Sequence, residues 1–142
     1  MRRIASLIVL LALLASPCRS AISQSMYDEE LSQLSSTLRA LMVRAERTNS
    51  RDETGGPAIQ HELFELSKKL HRLEEEALRT NNELGREGNA LDRQLLLAAS
   101  ISQTLDLAVS LVGCYLDTRD KVFWSSAVAA AQSARTLQSA QR

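Results

Sequence analysis

Residues 57–79 read PAIQHELFELSKKLHRLEEEALR. Ile59, Leu63, Leu66, Leu70, Leu73 and Ala77 recur at intervals of 4, 3, 4, 3 and 4. That spacing places them on one stripe of an α-helix and makes them a seam for neighbouring helices. Phe64 and Leu78 widen the stripe. The other face is charged. Glu65 with Lys69, Arg72 with Glu76 and Glu75 with Arg79 are spaced i,i+4, and such pairs contribute about 0.2–0.5 kcal/mol each. Pro57 suits the first helical position, where a missing N–H does no harm. Gly85, Gly88 and Asn89 end the pattern near Leu84.

The same periodicity extends in both directions. From about Ser25 to Arg47, Leu31, Leu34, Leu38, Leu41 and Ala45 repeat at 3, 4, 3 and 4. Asp28, Glu29 and Glu30 lie at the start of this helix, and Arg39, Arg44 and Arg47 toward its end, the signs that the helix dipole favours. The polar stretch at about 48–57 has no apolar period and is expected to be a loop. After Asn89 a third helix carries two apolar stripes. One is Leu91, Leu95, Ala98, Leu105, Val109, Val112 and Leu116; the other is Leu97, Ile101, Ala108, Leu111 and Tyr115. Two stripes imply contact on two sides and the most buried helix of the fold. Asp92, Gln103, Asp106, Ser110, Cys114 and Asp117 occupy its remaining face.

Asp117, Thr118, Arg119 and Asp120 interrupt the pattern. The apolar phase slips there, since Phe123, Ala127, Ala130, Ala134 and Leu137 do not continue the earlier stripe. A turn capped by Asp117 or Asp120 and a fourth helix, Lys121 to about Ser139, are predicted. No Gly or Pro enforces the break, so one long bent helix is the alternative. The Ala-rich last helix buries little area and is expected to be the weakest and most frayed.

The fold class expected is therefore all-α, an up-down bundle of three to four amphipathic helices. A helical hairpin that completes its core by dimerising is the rival, because heptad seams serve both purposes. Composition agrees. The 142 residues contain 44% hydrophobic and only 4% aromatic side chains, with 5 Gly and 2 Pro. A disordered chain or a β-sandwich would need a different balance.

Residues 1–20 read as a leader rather than as fold. Arg2 and Arg3 precede an apolar run from Ile4 to Ala15, and Pro17 then breaks it. Small residues at Cys18, Ser20, Ala21 and Ser23 offer cleavage after Ser20, or after Ser23. Residues 21–142 are then one mature domain, exported to a periplasm or secreted. Cys18 also invites lipidation, but Pro17 and Ala15 stand where a lipoprotein signal wants other residues. Cleavage removes Arg2, Arg3 and Arg19 and leaves an excess of three acidic residues. Nucleic-acid binding needs the opposite charge, concentrated in a patch. Nothing beyond the leader suggests a membrane span, since the best candidate, the 12 uncharged residues from Gln94 to Leu105, suits a core helix better.

Candidate sites are few. His61 with Glu65, and His71 with Glu75, are spaced to share a metal ion. Each pair offers only two of the four ligands that a structural site wants, and basic neighbours oppose a cation. His61-Glu62-Leu63-Phe64-Glu65 falls short of H-E-x-x-H, because Glu65 stands in place of the second histidine. Haem would need Met42 to face His61 or His71 across the core, yet both histidines lie off the apolar stripe. No nucleophile elbow, phosphate loop or C-x-x-C-H is present, so no cofactor and no catalysis are expected.

Cys114 falls on the polar face of helix three, where an intermolecular disulfide is a candidate role. These features fit an exported, non-enzymatic bundle acting through protein–protein contacts, on a homodimer or a partner helix. Leu31, Leu34, Leu38 and Leu41 are the interaction seam expected on that reading. The alternative is a carrier of a small ligand or cofactor such as haem or a metal, with its site in the bundle core. Ser100, Ser102 and Thr104 are the hint for it.

Overall fold

In the computed structural model, residues 27–48, 55–84 and 90–140 are described; the leader expected at residues 1–20, with Cys18, lies outside them. They form four helices and no strand: α1 (27–47), α2 (Gly55–Leu84), α3 (Ala90–Thr118) and α4 (Lys121–Ala140).

The leucine stripes make the core. Leu31, Leu38, Leu41, Ile59, Leu70, Ile101, Leu105 and Val112 are completely enclosed. α4 contributes Ala127, Ala130 and Ala134. Tyr27, Leu78, Leu97, Leu111, Trp124, Val128, Ala131 and Leu137 close the margins. Polar contacts give the helix order. Gln60 donates to Asp117, Ser67 Oγ to Asp106 Oδ1 at 2.6 Å, and Gln103 Nε2 to Glu74 Oε1 at 2.5 Å. Partner numbers fall on α3 as they rise on α2, so the two helices are antiparallel. Arg44 on α1 reaches Glu62 on α2 at 2.7 Å. The Tyr115 and Trp124 rings meet at 5.0 Å where α3 turns into α4. Ser35, Leu38 and Met42 of α1 share a groove with Val128, Ala131 and Arg135 of α4. The result is an up-down-up-down bundle with α1 beside both α2 and α4.

Three details depart from the sequence reading. α2 begins at Gly55, so Gly55 and Gly56 belong to the helix and not to the expected loop. Pro57 still sits in the first turn, where backbone N–H groups have no helical acceptor. Phe64 does not widen the buried stripe; it is 58% exposed, with the Lys68 ammonium 4.4 Å above its ring. The contact Glu65 makes is with Lys68 at 2.8 Å, one residue nearer than Lys69.

The α3–α4 break is real and has a local cause. Arg119 adopts φ 59°, a left-handed conformation uncommon outside glycine. Its N–H donates to Tyr115 O at 2.8 Å, the single bond of an αL helix stop. Its guanidinium donates to Thr48 O at 3.0 Å, at the end of α1, and lies over the Tyr115 ring. These contacts offset the strain. Asp120 then caps α4, accepting from Val122 N at 2.8 Å through Oδ1. Asp120→Ala is expected to cost about 1 kcal/mol, the usual worth of an N-cap. In urea unfolding the midpoint falls while the slope is unchanged.

Candidate functional site

Sequence directed attention to the α1 seam, the α2 histidines, the α3 hydroxyls and Cys114. Leu31, Leu34, Leu38 and Leu41 are 0–6% exposed and face the chain's own helices. The seam is therefore satisfied internally, because α2 and α4 flank α1 and cover it.

His61 and His71 are both exposed on α2. Neither points into the core, so neither can ligate a group held there, and Met42 lines the α1–α4 groove instead. His71 Nδ1 lies 3.1 Å from Ser67 O and 3.7 Å from Asp106 Oδ2. The Glu65 carboxyl is held below the usual glutamate range, first by its hydrogen bond from Lys68 and then by nearby positive charge. Glu75 borders a shallow surface groove with Phe64, Ser67, Lys68, His71 and Arg72. Among the described residues no three His, Cys, Asp or Glu side chains converge as metal ligands.

The α3 hydroxyls turn to backbone carbonyls. Ser100 donates to Leu96 O at 2.9 Å and Thr104 to Ser100 O at 2.7 Å, both within the helix. Ser102 is fully buried and donates to Leu70 O at 2.7 Å, linking α3 to α2. None is left pointing at an empty core.

Cys114 is exposed. Its neighbours on the outward face of α3 are Leu96, Ser100, Gln103, Leu107 and Ser110, all exposed. These six positions are spaced 4, 3, 4, 3 and 4. They form a third heptad stripe on a helix whose other two stripes face α2 and α4. Leu96 is 46% and Leu107 55% exposed. No member is charged, whereas the outward face of α2 carries Glu65, Lys68, Lys69, Arg72, Glu75 and Glu76. A helix facing water normally carries charge there. Sequence reading named Gln103, Ser110 and Cys114 on this face but not the two leucines. The signal was their own 11-residue separation, three turns of one helix. Of the described helices, α3 over Arg93–Thr118 is long and apolar enough to cross a membrane, and half of it is buried, as in a core helix.

The exposed Arg44–Glu62 pair joins α1 to α2. The hydrogen bond from Arg44 holds the Glu62 carboxyl below the usual glutamate range, with added attraction from Arg44 and His61. Because the folded pKa is lowered, the pair's contribution is present above the unfolded value, about 4.3, and fades as pH falls through the folded one. In an NMR titration Glu62 is expected to protonate below that value, and Arg44→Gln is expected to return it toward normal. Comparison of the chain with protein-family models, with curated protein sequences and with solved structures finds no match.

Proposed function

We propose that this is an exported, non-enzymatic protein that works by helix-to-helix association, and that the associating surface is the outward face of α3. The uncharged heptad stripe from Leu96 to Cys114 carries the reading. It runs for about 27 Å at 1.5 Å per residue. Leu96 and Leu107 supply the apolar contacts, and Ser110 supplies a hydroxyl that can bond across a helix pair; the Ser100 hydroxyl and the Gln103 amide nitrogen already donate to Leu96 O and to Glu74. The partner that fits best is a second copy of the chain. A two-fold axis parallel to α3 sets each stripe position against its own copy, as in a parallel coiled coil. Between Leu96 and Cys114 no charge then meets its like. Cys114 would face Cys114, and the leader would deliver the chain to a compartment where such a pair oxidises.

The test is sedimentation velocity on the exported full chain, with and without reductant. A dimer is expected, with a disulfide cross-link that Cys114→Ser removes while association survives. Leu107→Asp is expected to weaken the dimer at least about tenfold, since an unpaired carboxylate would be desolvated there. Its helical circular dichroism stays unchanged, because Leu107 lies outside the core. A strict monomer, or a dimer that Leu107→Asp leaves intact, overturns the reading.

A further inference from the structure

A groove runs between α1 and α4, on different helices from those of the heptad pairing just proposed. Its cause is side-chain size. α4 lines it with Ala131 and Ser139, and α1 answers with Ser32 and Ser35, so short side chains leave a trough between the two helices. The trough has two lobes that share Ser35, Arg39 and Arg135. One lobe, about 330 Å³, is completed by Ser32, Gln138 and Ser139. The other, about 170 Å³, has a mainly apolar wall of Leu38, Met42, Val128 and Ala131, with Gln132 at its edge.

The polar lobe is rich in donors. It holds two guanidinium groups, three hydroxyls and an amide, and among the described residues no carboxylate borders either lobe. Arg39 donates from Nε to Ser35 O at 3.4 Å, within its own helix. Among the described residues neither Arg39 nor Arg135 has an acidic side chain at ion-pair distance. α4 contains no acidic residue at all. Gln138 lines this lobe with its Nε2 buried and without an acceptor among the described residues. Arginines presented in this way suit an oxyanion, which accepts charge-assisted hydrogen bonds from the planar fork. The adjoining apolar wall suits a hydrocarbon body.

We infer that the α1–α4 groove binds a small monocarboxylate amphiphile, with its head between Arg39 and Arg135 and its apolar tail along Leu38, Met42, Val128 and Ala131. Octanoate below its micelle-forming concentration is the probe, titrated calorimetrically into the full chain at low salt. Octanol, acetate and octylamine are the comparison compounds. Saturable one-to-one binding of octanoate is expected. Octanol lacks the charge and acetate the tail, so each should bind at least about tenfold more weakly, and octylamine should not bind. The double variant Arg39→Gln with Arg135→Gln should lose at least about tenfold in affinity. Its thermal unfolding should match the parent, because both side chains are exposed. Absence of saturable binding, equal binding of octanol, or full affinity in the double variant overturns the inference.

Discussion

The packing of α3 against helices on two sides holds the bundle together. Leu95, Ala98, Ile101, Leu105, Ala108, Val109 and Val112 are all buried. A single-stripe amphipathic helix could not meet α2 and α4 at once. The α1 seam then closes the remaining side, meeting α2 at Arg44–Glu62 and α4 along the groove. Burying one leucine stabilises by roughly 1.5–3 kcal/mol relative to leaving it exposed. A polar substitution at Leu41 or Leu70 would therefore damage the core itself, not a partner's docking site.

Much of this was legible in the sequence, for a physical reason. Apolar residues at 3- and 4-residue intervals can be buried together only on a helix, so the seams of the first two helices could be read before any contact was known. The phase slip at 117–120 was legible for the same reason. The mechanism of the stop was not. Left-handed backbone is ordinarily announced by glycine, and here it falls on Arg119, held by contacts to Thr48 and Tyr115 that no local pattern encodes. Phe64 misled because apolar character alone does not decide burial. At the edge of a stripe, an ammonium over the ring can leave it facing water.

The candidate surfaces were less legible. Leu31, Leu34, Leu38 and Leu41 looked like an interface because a heptad seam carries no mark of whether its partner is in the same chain. The α3 face was hidden by company. With two apolar stripes already on that helix, Leu96 and Leu107 blended into a generally apolar segment, and only the burial of the other positions isolates them. The α1–α4 groove depends on serines and alanines from segments about a hundred residues apart, and that pairing follows from topology alone.

Charge is distributed according to which helix has a neighbour to answer it. α2 combines Glu65, Lys68, Lys69, Arg72, Glu75 and Glu76 on one exposed face, so its charges have partners on the same helix, as Glu65 has in Lys68. α4 has Lys121 and Arg135 and no acid, so Arg135 has nothing on its own helix to pair with. Across the groove α1 presents Arg39, another cation. Exposed arginines need no ion pair to be stable in water, and surface pairs contribute little in any case. Two of them on opposite walls of one trough nevertheless repel each other mildly and raise the local potential. That arrangement persists at little expense while the groove holds water, and it becomes favourable when an anion enters. The uncharged outer stripe of α3 and the cationic groove between α1 and α4 are thus different departures from the salt-bridged surface that α2 represents.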